Sequence, residues 1–296
     1  MNVPPETSVL VVGEALIDIV ETAEQRVEHV GGSPANVALG LGRRGIPVTL
    51  LTHLAPDARG RRIVKHLEHS GVRVAAESMT ARATSTALAR IGADGQATYE
   101  FHLDWGAVRP PEDLAPTVVH TGSVGAFLEP GAESVRELLR TTTAREITFD
   151  PNIRPALVGS HGSAFGAFEQ TARLATVVKM SDEDAEWLYP GVPVDDVIRR
   201  VLELGPRLVA ITLGAKGAIV ANADHLVRNA GESVDAVDTI GAGDTFMASL
   251  IAAVFEGGSH RLRRDALERI GRDATRAAAI TVSRAGADLP WSHELE

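Results

Sequence analysis

Short apolar runs recur along the chain: "SVLVVG" (8–13), "PVTLLTHL" (47–54), "TVVHTGSV" (117–124), "REITFDPN" (145–152), "ATVVKMS" (175–181) and "RLVAITLG" (207–214). Each is rich in β-branched residues and is stopped by a polar residue or glycine. Consecutive rather than alternating apolar positions predict strands covered on both faces, as in a parallel sheet. Between them "RGRRIVKHLEHSG" (59–71), "GAESVRELLRTTT" (131–143) and "VDDVIRRVLELG" (194–205) carry helical spacing, as do the stretches after 243 and 265. Strand and helix in alternation predict an α/β fold with a doubly wound, mostly parallel sheet. Two segments break the rhythm. "LIDIVETAEQRVEHVGG" (16–32) reads as extended, and "ATSTALARIGADGQATYEFHL" (83–103) reads as two strands around a glycine-containing turn. Their apolar residues are too few for a second core. The expectation is one domain over 1–296 with a small β lid at one edge, formed by about 16–32 and 83–103.

"DTIGAGDTF" (238–246) precedes a long apolar run. Phe246, Met247, Leu250, Ile251 and Val254 recur at helical spacing, and Gly257-Gly258 ends the run. The glycine stretch therefore opens a helix. Free backbone N–H groups and the positive end of the helix dipole lie there. Gly241, Ala242 and Gly243 carry little or no side chain, so an anion can approach the backbone. Asp244 in the first turn is read in two ways. It caps the helix, or it accepts a proton from a hydroxyl that attacks the bound anion.

Composition narrows the partners. Among 296 residues the formal charge is −10, and the nearest basic cluster is the short "RLRR" at 261–264, so nucleic acid is not expected as a partner. Apolar residues reach 44% and aromatics only 4%, so Val, Leu, Ile and Ala fill the core. Cysteine is absent, which removes disulfides and thiolate metal sites and fits a reducing cytoplasm. No basic-then-apolar leader is read in "MNVPPETS", and no apolar run approaches the roughly 18 residues that span a membrane. Neither G-x-x-x-x-G-K-[ST] nor a G-x-G-x-x-G after the first strand is present, which argues against a Walker loop and a dinucleotide fold.

"DTIGAGDTF" resembles the C-terminal signature of the ribokinase-like (PfkB-type) carbohydrate kinases, and "GGSPANVALGLGRRG" (31–45) resembles their N-terminal signature. "TLGAKG" (212–217) is similar to the family's nucleotide-binding turn. "VVGEALID" (11–18) and "FDPNIRPAL" (149–157) look most like fructokinases and related sugar kinases. The resemblance covers essentially the whole chain. It implies ATP as phosphoryl donor, magnesium, and a sugar phosphorylated on a terminal hydroxyl, with fructose ahead of 2-keto-3-deoxygluconate, ribose or a nucleoside. A silent sugar-binding regulator on the same fold is the alternative from another class, and the intact Asp244 argues against it.

The resemblance also implies roles. Asp244 is the base, and Gly241, Ala242 and Gly243 form the anion hole. Asp18, Gly31, Gly32 and Asn36 bind sugar. Ser33 and Pro34 are read as the cap and first position of their own helix. Tyr99 and Phe101, on one face of a lid strand, could line the pocket or a dimer contact, with His102 on the other face. Asn152 and Arg154 belong to the substrate side. Lys179, Thr212, Gly214 and Gly217 belong to the nucleotide side, with Lys216 either there or in a solvated turn. In "KMSDEDAEWL" (179–188) Ser181 and Asp184 stand where many members have Asn and Glu, so Asp184 or Glu183 is expected to order magnesium through water. Asp238, Ile240, Thr281 and Gly286 match the supports of a potassium ion. Open lid edges predict a homodimer through the lids.

Overall fold

The computed structural model describes residues 8–92, 96–112 and 114–296. In chain order, β1 (Val9–Val12) leads to β2 (Leu16–Glu21), β3 (Arg26–Gly31) and α1 (Ser33–Arg43). Then come β4 (Val48–Leu51), α2 (Ala58–His69), β5 (Val72–Val74), β6 (Thr86–Ile91) and β7 (Ala97–His102). The tip of the turn expected between these last two strands, residues 93–95, lies outside the described residues. Next are β8 (Val118–Gly122), α3 (Ser123–Phe127), α4 (Gly131–Thr141), β9 (Glu146–Asp150), α5 (His161–Ala172), β10 (Val177–Ser181), α6 (Asp182–Leu188) and α7 (Val194–Leu204). The chain closes with β11 (Leu208–Thr212), β12 (Ala218–Ala221), β13 (Leu226–Asn229), α8 (Ala242–Gly257) and α9 (Arg264–Val282).

The large sheet runs β13-β12-β11-β10-β9-β8-β1-β4-β5. All pairs from β5 to β11 are parallel, and β12 and β13 are antiparallel. The expected apolar runs are therefore strands buried on both faces. Val9 and Val11 pack with α1, α2, α8 and α9 on one side, and Leu10 and Val12 pack with α4, α5, α6 and α7 on the other. From β1 the chain moves through α1 to β4, whereas β8 lies on the opposite side of β1. Connections leaving in opposite directions open a crevice beyond the carboxyl ends of β1 and β8, where ligands bind in such sheets.

The small sheet, β3-β2-β6-β7, is the expected lid region. Ile17, Ile19 and Leu88 alternate inward to the core. The register places His29, Asp18, Ala87 and Phe101 in one row on the other face, with Val27, Val20, Ala89 and Tyr99 in the next. Tyr99 is 67% exposed and stacks on Phe101.

Helix α8 is apolar on nearly every side because it is a central helix, wedged between α1 and α9. A β-carbon on Gly40 would come 3.0 Å from the Ala248 β-carbon. That glycine lets α1 and α8 lie close, which brings their two N-termini to the same place.

Candidate active site

Gly241 is the N-cap of α8 and adopts the left-handed conformation, φ 80°. A β-carbon there would also press on the Ala287 backbone at 2.9 Å, so glycine is needed on two counts. No side chain caps this helix. The Ala242 amide donates to the Thr239 carbonyl at 3.3 Å, which leaves the amides of Gly243 and Asp244 to face an incoming anion.

Asp244 does not cap α8. Its buried carboxylate turns across to α1, where Oδ1 accepts from Ser33 Oγ at 2.6 Å and Oδ2 from Asn36 Nδ2 at 2.8 Å. Two signatures more than 200 residues apart meet on one carboxylate. Burial holds its pKa above the ordinary aspartate value, against the pull of the Ser33 and Asn36 hydrogen bonds and the positive charges of Lys179 and Arg154. The reading of Ser33 as a helix cap is corrected: Gly32, φ 103°, occupies the cap position, Ser33 is the first helical residue, and its hydroxyl serves Asp244. Pro34 follows in the first turn, where its missing N–H costs nothing.

Lys179 rises from β10 beneath the glycine turn. Its ammonium donates to Asp150 Oδ2 at 2.9 Å, and both side chains are almost fully buried, 4% and 1% exposed. Nζ lies 3.1 Å from where a β-carbon on Gly243 would stand, so a side chain there would crowd the charge. Burial pushes Asp150 up to about 6, partly offset by Lys179. Asp150 Oδ1 has no hydrogen-bond partner among the described residues. Lys179 thus sits against the glycine turn that opens α8.

Asp18 opens to the crevice, and Gly31 makes room for it, since a β-carbon on Gly31 would overlap the Asp18 carboxylate. A β-carbon on Gly32 would strike the Glu14 carbonyl at 2.6 Å. Desolvation by the crevice walls raises the Asp18 pKa, with His29 and Arg154 opposing and Asp244 reinforcing. Asp18 and Asp244 therefore feel each other across one site. Arg154 is exposed, and its charge reaches Asp18, Asp244 and Glu14. Asn152 beside it takes a positive φ of 39°, a conformation asparagine tolerates better than most residues.

The nucleotide-side residues follow β11. Thr212 ends the strand, Gly214 (φ 56°) starts an exposed turn, and Gly217 (φ 97°) packs against Asn229 and Gly231, where a β-carbon would not fit. Lys216 is exposed in the same turn. Asp184 has structural work: it closes a capping box with Ser181 and accepts the Ile153 amide at 2.7 Å, tying α6 to the loop that carries Asn152 and Arg154. Glu183 is exposed on the same helix. Asp238 accepts from the amides of Ile240 and Gly286, while the Thr281 hydroxyl bonds to Thr245 inside the fold. The structure thus joins three of the four residues expected to support a potassium ion and turns the fourth side chain inward. Arg90 of β6 is engaged by Glu21 and Glu100 of the neighbouring strands.

Sequence reasoning missed Glu14. It follows β1 at the crevice, is buried, and accepts the Gly125 amide at 2.8 Å. Burial pushes its carboxyl up to about 7, against a Ser123 hydrogen bond. A lone acid directly after an apolar central strand is the signal that pointed to it.

The model of the pfkB family carbohydrate kinases matches residues 6–294. A fructokinase of Rhizobium leguminosarum bv. trifolii is 34% identical over 83% of this chain and 79% of its own length. A fructokinase of Salmonella typhimurium is 29% identical over 97% of both. Among solved structures, the aminoimidazole riboside kinase of Salmonella enterica, complexed with aminoimidazole riboside and an ATP analog, superposes with a TM-score of 0.81 at 25% identity, covering 98% of both chains. A match running from residue 6 to residue 294 takes in both helix starts and the crevice between them, and the chain belongs to the pfkB family of carbohydrate kinases.

Proposed function

We propose that the protein is an ATP-dependent fructokinase. The observation that carries this reading is the buried Asp244 carboxylate, set in the first turn of α8 beside the Gly241-Ala242-Gly243 turn and reached by α1. A base next to an anion-binding helix start suits transfer of a phosphoryl group to a hydroxyl. Asp18, Gly31, Gly32 and Asn36 line the sugar side, with Asn152 and Arg154 opposite. Asp244 takes the proton of the terminal hydroxyl, whose oxygen bonds to the γ-phosphorus. The bond from that phosphorus to the bridging oxygen breaks, and its electron pair leaves with ADP. The amides of Gly243 and Asp244, with Lys179 below, stabilise the charge on the transferred group. Thr212, Gly214 and Gly217 form the nucleotide rim.

Magnesium, when bound with ATP, neutralises phosphate charge. Asp184 and Glu183 would hold it through water, which fits a carboxylate already bonded to two backbone amides and an ion that keeps several waters. No group of three or more His, Asp or Glu among the described residues is arranged to hold a metal directly. Potassium would rest against the loops joined by Asp238, with Ile240, Thr281 and Gly286. The fit lies in the Asp238 carboxyl, which the Ile240 and Gly286 amides keep below the usual range and hence ionised.

Two chains pair through their lids in this reading. The row of Val20, Ala89 and Tyr99 adjoins the row of Asp18 and Phe101 on one open face, and among the described residues β3 and β7 leave unpaired edges. Sedimentation at micromolar concentration should give a dimer; an active monomer would contradict it. A cytoplasmic location agrees with the absence of cysteine, and no helix among the described residues is long and apolar enough to cross a membrane.

The name of the relative at 34% identity favours fructose, and engagement of Arg90 by two glutamates removes one counter-charge for an acidic sugar. The riboside-kinase neighbour supports a nucleoside as the second reading. ATP turnover over a panel of sugars, sugar acids and ribosides decides. Fructose should lead in kcat/KM. A tenfold advantage for a competitor, about 1.4 kcal/mol of transition-state preference, would replace fructose and leave the kinase standing.

A further inference from the structure

Both oxygens of Asp244 accept hydrogen bonds from α1. Asn36 reaches one from the second turn of its helix. Ser33, the first residue of α1, reaches the other at 2.6 Å, a short bond of the charge-assisted kind. We propose that Ser33 is a positioning residue for the base: its hydroxyl fixes the Asp244 carboxylate against the start of α1 and keeps it in the form that can take a proton. This rests on Asp244 being the base.

Three observations converge on it. The Ser33 hydroxyl is not used to cap its own helix, whose cap position is a glycine without a side-chain bond. The bond crosses from α1 to α8, so it fixes the carboxylate relative to the sugar-side helix as well as its own. It also acts against burial, which otherwise favours the protonated, inactive form of Asp244, and it is the foremost influence opposing burial there. The other charges facing Asp244 are Lys179 from β10 and Arg154 from the loop after β9, which favour the carboxylate. Asp18 from β2 and Asp150 from β9 are the neighbouring acids, and each is raised by Asp244. Ser33 adds ionising bias without adding a charge that would repel or trap the phosphoryl group.

The test is the pH profile of kcat/KM, with fructose and ATP, for Ser33→Ala and Ser33→Thr. Loss of the hydroxyl should move the acid limb of Ser33→Ala to higher pH. On that limb its kcat/KM should fall about tenfold further than on the alkaline plateau, since a hydrogen bond to a charged group biases ionisation on this scale. Ser33→Thr, which keeps the hydroxyl, should return the limb toward its original position. A carbon-13 NMR titration of labelled aspartate, assigned with Asp244→Asn, reads the same shift without turnover. Superimposable profiles for Ser33→Ala and the starting protein would overturn the proposal, leaving Ser33 as a tie between two helices. A Ser33→Thr profile displaced as far as that of Ser33→Ala would overturn it too. If Asp244→Asn itself turns over normally, the base assignment fails, and that result is distinct from any Ser33 outcome.

Discussion

Lys179→Met should separate the structural and chemical duties of the buried ion pair. The ammonium and the Asp150 carboxylate are 2.9 Å apart, and water reaches almost none of either. Removing one partner from such a pair typically costs about 3–5 kcal/mol, because the other charge is stranded. Asp150 is poorly placed to absorb the loss, as Lys179 is its side-chain partner and its Oδ1 has none among the described residues. Its pKa, about 6 with Lys179 beside it, must rise further once the ammonium is gone. An acid whose folded pKa is raised stabilises the fold most below its unfolded pKa and loses that contribution as pH rises. The stability gap between the variant and the starting protein should therefore be small at pH 5 and widen through pH 7. Urea denaturation across this range reads it. The double variant Asp150→Asn with Lys179→Met strands no charge and should regain most of the stability. Activity should not return, because the positive charge beneath Gly243 is still missing. Loss of one anion-hole contributor costs roughly 10²–10³ in rate. A single variant as stable as the starting protein at pH 7 would refute the stranding argument. A double variant with normal turnover would refute the role of Lys179 at the anion turn.

Gly31→Ala should push the Asp18 carboxylate aside and raise the sugar KM at least tenfold, roughly the loss of one hydrogen bond to a charged group, with the ATP KM unchanged; an unaltered sugar KM in initial-rate assays would contradict the placement of Asp18. Glu14→Gln should flatten the pH dependence of stability. The raised carboxyl favours the fold below its unfolded pKa and loses that contribution as pH rises through about 7. The unsubstituted protein should lose about 3 kcal/mol from this group between pH 4.5 and 7.5, and equal urea midpoint curves for the two proteins would show that Glu14 is not the source.

The parallel strands were legible because a strand buried on both faces leaves a run with no polar interruption. Strands β12 and β13 were not read. "AIVA" and "LVRN" are four residues each, and the "NADH" (222–225) between them carries no two-residue hairpin signature. Helix α5 was also missed, since Gly162 and Gly166 lie in its sequence and dilute the helical signal. The glycine turn, Asp244 and Asp18 were legible through local pattern and family resemblance together. The Ser33 contact was not, because a bond to a residue 211 positions away depends on how α1 and α8 cross, which Gly40 permits but does not announce. The capping box of "SDED" (181–184) is written in the sequence, and the same Asp184 carboxylate suits a helix start and a hydrated cation alike, so the pattern does not separate the two roles.

Asp244→Asn tests the central claim most directly. The amide keeps the size of the carboxylate and can still accept a hydrogen bond, but it cannot take a proton from the sugar. With saturating ATP, kcat should fall by about 10²–10⁴, the usual worth of a general base, while fructose affinity, measured by calorimetry, stays within about threefold (an allowance of about 0.7 kcal/mol). A variant that turns over at close to the original rate would contradict the assignment of Asp244 as the base.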